Sequence, residues 1–274
     1  MEAHFNPHFF PTNRYELFIQ CAASICKKIS RICDFVYECI FKEFRSCLAS
    51  LMYRVIFCVS PHRYNLNPET IKVAEATKRT AKVFMLLHGA SASPSYFLPL
   101  ASKLQESGIG NVFTASYNPS ANDPVPIIDL SNRIKEITER YLKNGYENVE
   151  YTLVGHSLGA IIATKYIWRG KEIENTCVSK MISIAGRLKY ITNKFAWFCK
   201  DIKDEIEMTF KAIVEDPNKV SLYTIWGAED KIVPQESAHF QNLQDREYTV
   251  NGTGHLGVVL SLETHNQIAA WLQM

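Results

Sequence analysis

A Gly-His-Ser-Leu-Gly run at 155–159 contains the residue of this chain best suited to nucleophilic chemistry, Ser157. Residues 149–154 before it are apolar and β-rich, and residues 160–166 after it form a small-residue run typical of a helix. Strand, sharp turn and helix is the context of a nucleophile elbow, where glycines let neighbouring backbones approach closely. The alternative is a tight turn that carries an ordinary serine. The pattern predicts that Ser157 lies at the tip of the turn and attacks a substrate.

A serine hydroxyl becomes a strong nucleophile only when a base takes its proton and a third group orients that base. In a protein with such an elbow, the expected chain order is serine, then acid, then histidine. Three histidines follow the serine: His239, His255 and His265. We predict that His255 is the base, because its loop at 251–257 is rich in glycine and follows a strand-like run at 247–250. The alternative is that His255 is a loop histidine that makes only a local hydrogen bond. His239 and His265 fall within expected helices.

Two carboxylates are candidates for the group that orients the base. An apolar strand at 221–226 runs into a polar turn at 227–234, which contains Glu229 and Asp230. A carboxylate on this turn can reach a histidine on the loop after the next strand. The spacing by itself does not choose between Glu229 and Asp230, and both residues are also ordinary for a polar turn.

Backbone N–H groups that stabilise a developing oxyanion are the remaining requirement of acyl transfer. One donor is the amide of the residue after the nucleophile, Leu158. For the other, we expect the amide of Ala90, on the loop 88–93 that follows an apolar strand at 82–87. His88 in that loop precedes the serine in the chain, so we expect it to orient the loop rather than to act as the base.

Taken together, these motifs resemble the α/β-hydrolase superfamily, and within it lipases and esterases, including lipase-like relatives of inositol deacylases. The resemblance covers residues 78–274. It rests on four motifs that occur in the order of the family, namely His88-Gly89-Ala90, the 155–159 run, the Gly227 to Pro234 turn with Asp230, and Gly254-His255.

The resemblance implies roles that the spacing left open. The acid of the family is the aspartate two residues before an Ile-Val-Pro run, which selects Asp230 over Glu229. The second oxyanion amide follows the His-Gly pair, which again selects Ala90. The implied fold is an α/β-hydrolase fold, a mostly parallel sheet flanked by helices, and no cofactor or metal is implied. This sequence departs from the pattern by showing no pair of strands before residue 82, so the sheet is expected to begin at the third strand of the family.

Periodicity supports an α/β fold independently of the motifs. Strands and helices alternate, which is typical of a parallel sheet covered by helices. The predicted strands are 82–88, 111–117, 150–155, 181–185, 221–226 and 246–250. A helix is predicted from apolar residues at spacings of three and four, Ile127, Leu130, Ile134, Ile137 and Tyr141, and it ends at Asn144-Gly145. Because ligands of open α/β sheets bind at the carboxyl ends of the strands, the chemistry is expected there.

Composition is that of an ordinary globular protein. Of the 274 residues, 47% are hydrophobic and 21% are charged. The net charge of +2 is too small to indicate a nucleic-acid partner. We therefore predict a hydrolase domain over 78–274 and an N-terminal helical extension over 1–77.

The extension contains an amphipathic pattern. Its apolar stripe comprises Ile25, Ile29, Ile32, Val36 and Ile40, and the opposite face comprises Lys27, Arg31, Asp34, Glu38, Lys42 and Arg45. Packing on the hydrolase domain is the favoured interpretation, and peripheral contact with a membrane or a partner is the alternative. Six cysteines in this segment (Cys21, Cys26, Cys33, Cys39, Cys47 and Cys58) are interpreted as small buried hydrophobes, with S-acylation as the alternative. With neither a secretory signal nor an apolar stretch long enough to span a bilayer, the expected location is the cytoplasm.

An aromatic segment at 187–219 is longer than a crossover between strands requires. We interpret it as a small helical lid over the substrate site, and one long helix packed on the sheet is the alternative.

The predicted activity is hydrolysis of carboxylic esters, lipid or acyl esters in particular, by Ser157, Asp230 and His255. Thioesters or amides are alternative substrates of the same triad. A protein of another class, an inactive hydrolase body that binds a membrane or a partner, is the further alternative.

Overall fold

The computed structural model describes residues 79–90, 92, 94–115, 117, 125–169, 173–188, 220–238 and 244–274. The predicted extension at 1–77 lies outside these residues. So does the predicted lid, apart from its first two positions, Arg187 and Leu188.

Six parallel strands form one sheet in the described part of the chain. They are β1 (Thr80–Leu87), β2 (Asn111–Ala115), β3 (Asn148–His156), β4 (Thr176–Ile184), β5 (Ser221–Gly227) and β6 (Glu247–Val250). The strand order is β2-β1-β3-β4-β5-β6. The chain thus leaves β1 toward one edge of the sheet and returns as β3 on the other side of β1. This reversal opens a crevice between the carboxyl ends of β1 and β3, the place where open α/β sheets bind ligands.

The predicted strands are all present, but β4 begins earlier than its sequence indicates. It pairs with β3 from Thr176 onward, five residues before the predicted start at 181. Its first half consists of half-buried and exposed residues, so an apolar run begins only at Met181. Backbone pairing with β3 extends the strand beyond the part that its apolar residues mark.

Helices cover both faces of the sheet. They are α1 (Leu98–Glu106), which follows a 3₁₀ turn at Pro94–Phe97, then α2 (Val125–Lys143), α3 (Leu158–Arg169), α4 (Gln235–Ala238), α5 (Gly257–Leu260) and α6 (Leu262–Gln273). Helix α2 buries Leu130, Ile134, Ile137 and Tyr141, as its periodicity predicts. It ends at Lys143, and Gly145 two residues later has a φ of 89°, which is favourable for glycine. None of the described helices is both long and apolar enough to span a membrane.

The core lies in two layers because successive residues of a strand point to opposite faces of the sheet. On one face, Met85 and Leu87 of β1 pack with residues of α2 and α3. On the other face, Phe84 and Leu86 pack with residues of α1, α5 and α6. A strand buried on both faces has no polar face, which explains why β1 reads as a continuous apolar run. Between these layers, β1 and β3 pair up to Leu87 and Gly155, which places their carboxyl ends side by side.

Candidate active site

Ser157 occupies the turn between β3 and α3 in a strained backbone conformation. Its φ is +54°, a value that residues with a Cβ adopt rarely and at a cost of about 1–3 kcal/mol. Two backbone hydrogen bonds hold the turn. The Ser157 N–H donates to the carbonyl of Ile184 (2.9 Å), and the N–H of Ala160 donates to the Ser157 carbonyl (3.1 Å). The strand, turn and helix predicted from the sequence around this serine are therefore present.

Both glycines of the motif are required by close backbone contacts. A methyl group on Gly155 would lie 2.5 Å from the backbone N of Ala160. A methyl group on Gly159 would lie 2.1 Å from the carbonyl oxygen of Leu87, at the end of β1. Atoms do not approach so closely without the backbone moving. The two glycines therefore let α3 pack directly against the ends of β1 and β3.

His255 reaches Ser157 from the loop between β6 and α5. Its Nε2 accepts a hydrogen bond from the Ser157 hydroxyl, with a distance of 3.0 Å between Nε2 and Oγ. The imidazole is buried, with 6% of its side chain exposed. A base must lie within about 2.6–3.2 Å of the proton-bearing atom, and this contact meets that requirement.

Asp230 orients the imidazole from the other side. The Nδ1–H of His255 donates to Oδ2 of Asp230 (2.8 Å), and Oδ1 accepts from the backbone N–H groups of Ile232 and Val233 (2.8 Å each). The Asp230 side chain is 1% exposed. The carboxylate is therefore held by donors on both oxygens, and it fixes the tautomer that leaves Nε2 free of a proton.

Of the two carboxylates on this turn, the structure brings only Asp230 to His255. Glu229 is exposed. The backbone N–H of Glu229 donates to the carbonyl of Thr253 (3.0 Å), and the N–H of Ala228 donates to that of Val250 (2.9 Å). These bonds tie the turn that carries the acid to the loop that carries the base.

The loop after β1 runs directly past the serine. A methyl group on Gly89, the residue before Ala90, would lie 3.2 Å from Cβ of Ser157. Leu158 is the first residue of α3, so its N–H is among those without a carbonyl partner inside the helix. The two predicted oxyanion donors thus follow Ser157 and Gly89 directly in the chain, and their role stays a prediction.

His88 stabilises this loop. Its ring stacks on Tyr117 with centroids 4.4 Å apart, and its Nδ1 is 2.9 Å from the carbonyl of Gly89. The Tyr117 hydroxyl donates to the His88 carbonyl. Burial raises the pKa of this tyrosine, so the hydroxyl remains a donor. These contacts agree with a role in orienting the loop.

Among the other candidate bases, His265 lies in α6, as predicted. Its Nε2 donates to the carbonyl of Val259 (2.8 Å), and burial lowers the pKa of the imidazole. It thus ties α5 to α6. His239 lies outside the described residues.

No pattern in the sequence predicts a role for His156, the second residue of the motif. Its imidazole is buried beside His255, and its Nε2 is 3.0 Å from the His255 carbonyl. The only hint of such a role in the sequence is that a histidine stands at the buried end of a strand, directly before the nucleophile.

No group of three or more His, Cys, Asp or Glu side chains that could hold a metal ion occurs among the described residues.

At the start of the predicted lid, Arg187 and Leu188 are buried, and the N–H of Leu188 donates to the carbonyl of Ser237 in α4 (3.1 Å).

No protein-family model and no curated protein sequence matches this chain. Solved structures do. An esterase of Pyrobaculum calidifontis is 18% identical, with a TM-score of 0.53 over 83% of this chain and 92% of its own. A lipase/esterase of Lactobacillus plantarum is 15% identical, with a TM-score of 0.54 over 74% of this chain and 89% of its own. An acetyl ester-xyloside bifunctional hydrolase of Caldicellulosiruptor lactoaceticus is 14% identical, with a TM-score of 0.54 over 73% of this chain and 85% of its own.

These similarities define the class of fold. The parallel sheet, the elbow after β3 and the flanking helices are those of the α/β-hydrolase fold, which confirms the predicted fold class. The resemblance drawn from the motifs therefore holds at the level of the fold.

Proposed function

We propose that this chain is a serine hydrolase that cleaves carboxylic esters through an acyl-enzyme. The observation that carries the proposal is the continuous hydrogen-bonded series from the Ser157 hydroxyl through His255 to Asp230, with contacts of 3.0 and 2.8 Å, on a strained turn. Strain that packing maintains at a reactive side chain is typical of a functional site. The neighbours of the same fold, named as an esterase and a lipase/esterase, support an ester as the substrate.

In the proposed first half-reaction, Ser157 Oγ attacks the carbonyl carbon of the ester while its proton passes to Nε2 of His255. Asp230 accepts the Nδ1–H bond throughout and stabilises the imidazolium that forms. The negative charge moves to the carbonyl oxygen, which the amides of Leu158 and Ala90 bind. When the C–O bond breaks, the alcohol leaves with the proton from His255, and the acyl group remains on Ser157.

The second half-reaction repeats these steps with water. His255 takes a proton from water, and the hydroxide attacks the acyl carbon. The proton then returns to Ser157 Oγ as the carboxylic acid departs. No atom or electron from a cofactor is needed, and each of these side chains ends in its starting state.

A lipid or acyl ester remains the more detailed proposal for the substrate, with peripheral membrane contact through the N-terminal extension. Its basis is the aromatic segment 187–219 and the amphipathic pattern within 1–77, which lie outside the described residues apart from Arg187 and Leu188. Rates for p-nitrophenyl esters of two to sixteen carbons, with and without phosphatidylcholine vesicles, test this proposal. A preference for long chains supports it, and a preference for acetate contradicts it.

Treatment with a fluorophosphonate followed by intact-mass analysis tests the chemistry. We expect one adduct on the wild-type protein and none on Ser157→Ala, because only an activated serine displaces fluoride at an appreciable rate. A folded wild-type protein that gains no adduct, with or without vesicles, contradicts the proposal. That result favours the alternative class, a binding protein with an inactive hydrolase body. An adduct combined with faster cleavage of thioesters or amides than of matched oxygen esters would reassign the substrate.

The Asp230→Asn variant is expected to hydrolyse esters about 10⁴-fold more slowly, because an amide at this position favours the wrong tautomer of His255. Glu229→Gln is the matched control. It removes one negative charge from the neighbouring residue, whose side chain is exposed. Its kcat is expected to stay within about twofold of the wild type. The measurement is kcat and KM for p-nitrophenyl acetate. Equal losses of kcat in the two variants would contradict the role of Asp230.

A further inference from the structure

His156 connects the nucleophile to the loop that carries the base. It ends β3, immediately before Ser157, and its residue is 1% exposed. Its Nε2 lies 3.0 Å from the backbone carbonyl oxygen of His255. A carbonyl oxygen only accepts hydrogen bonds, so Nε2 carries the proton and donates. The Nδ1 atom is then an acceptor, and among the described residues it has no hydrogen-bond partner.

Burial keeps this imidazole in the neutral form that such a bond requires. Desolvation lowers the pKa of His156 well below its usual value, and the neighbouring His255 lowers it further when charged. The ring therefore gains no second proton near neutral pH. A neutral His156 also places no positive charge against the imidazolium that forms on His255 during the proposed reaction.

A second side chain holds the same loop at the next residue. The Tyr96 hydroxyl donates to the carbonyl of Leu256. The rings of Tyr96 and His156 are packed with centroids 5.6 Å apart, and the rings of His156 and His255 with centroids 4.9 Å apart. Two successive carbonyls, at 255 and 256, are thus bound by two side chains that contact each other.

The opposite edge of the His156 ring faces the loop after β1. A methyl group on Gly89 would lie 3.1 Å from Nδ1 of His156. The ring therefore fills the space between two loops, one with the base His255 and the other with the proposed oxyanion donor Ala90. Its backbone belongs to the third element of the site, the turn that carries Ser157.

Strand order explains why such a connection is needed. β3 and β6 are separated by β4 and β5, which amounts to three strand spacings, or about 14 Å. The base loop must return across the ends of these strands to reach Ser157, and it contains glycines at 252 and 254 that give its backbone freedom. Sheet pairing alone does not fix the distance between Ser157 Oγ and His255 Nε2.

We propose that His156 is a positioning residue, whose Nε2–H bond to the His255 backbone sets the distance between the nucleophile and the base. The inference rests on the proposed hydrolase function. A displacement of about 1 Å between reacting groups lowers rates by up to about 100-fold, so the loss of this bond has a measurable consequence.

Three variants separate the bond from the packing. His156→Gln keeps an N–H donor at a reach similar to that of Nε2, whereas His156→Asn has the same chemistry with a shorter reach. His156→Leu keeps the volume and removes the donor. For p-nitrophenyl acetate we expect kcat to fall about 10- to 100-fold in the Asn and Leu variants with KM within twofold of the wild type. The Gln variant is expected to regain most of the loss. Thermal unfolding identifies which variants fold.

A proton NMR readout does not depend on activity. The Nδ1–H of His255, bound to Asp230, is expected to give a sharp downfield resonance in the wild type and in His156→Gln. It is expected to broaden or disappear in His156→Asn and His156→Leu. If His156→Leu does not fold, the test is the comparison of kcat and of this resonance between His156→Gln and His156→Asn.

The outcomes distinguish the two proposals. Variants that lose thermal stability but keep the wild-type kcat and resonance would overturn the positioning role and leave the hydrolase intact. A wild-type protein that neither reacts with a fluorophosphonate nor hydrolyses esters would overturn the hydrolase. The resonance in the variants then still decides whether His156 holds the His255 loop.

Discussion

Replacing Ser157 by alanine is expected to lower kcat for ester hydrolysis about a million-fold, and replacing His255 by alanine is expected to cost about as much. The physical reason is that the two side chains act as one unit across the 3.0 Å contact between Oγ and Nε2. A serine without its base and a base without its serine are equally unable to form the acyl-enzyme. The double variant should therefore be no slower than either single variant. Initial rates with p-nitrophenyl acetate at high enzyme concentration measure all three losses.

Ser131→Ala on α2 is the matched control, since it makes the same substitution in a helix that does not carry the elbow. Its kcat is expected to equal that of the wild type. Losses that multiply in the double variant would mean that Ser157 and His255 act independently, which contradicts a shared proton transfer. A Ser157→Ala protein that keeps more than a tenth of the wild-type rate would remove this serine from the mechanism.

Gly159→Ala is expected to lower the free energy of unfolding by about 3 kcal/mol or more, the upper range for overpacking. In an ordinary helix the same change stabilises by about 1 kcal/mol, so the predicted sign is reversed. The added methyl group would lie 2.1 Å from the Leu87 carbonyl oxygen and 2.8 Å from that of His88. Both atoms belong to the backbone at the end of β1, so α3 must move away, and Ser157 with it. Urea unfolding followed by circular dichroism measures the loss.

The control for this prediction is Asn132→Ala, which introduces alanine on an exposed position of α2. It is expected to be neutral or slightly stabilising. A Gly159→Ala protein that unfolds at the wild-type urea concentration or above it would show that the helix and the strand end are not in the close contact described.

Much of the fold follows from local patterns in the sequence. The apolar runs of β1 and β5 mark strands buried on both faces, and the stripe of α2 marks its buried face. The glycines at 155 and 159 indicate the elbow because the close contacts of that turn exclude a side chain. The early start of β4 at Thr176 was not predictable, since hydrogen bonds to β3 rather than apolar residues extend the strand.

The site divides in the same way. Ser157 and His255 were predicted because each lies at a strand end with glycines beside it. The spacing of residues did not distinguish Asp230 from Glu229, and the family resemblance was needed to choose. Of these two carboxylates, Asp230 is the one that bonds to His255 in the structure, because the N–H groups of Ile232 and Val233 turn its carboxylate inward.

The sequence by itself determined the residue types, the local elements and the positions of reactive side chains at strand ends, since all of these depend on neighbours within a few residues. Only the tertiary structure decided the strand order and the path of the base loop back across β5 and β4. His156 belongs to this second group, because its bond to the His255 carbonyl joins residues 99 positions apart. Contacts of that range depend on how the strands order and pack, which no local periodicity encodes.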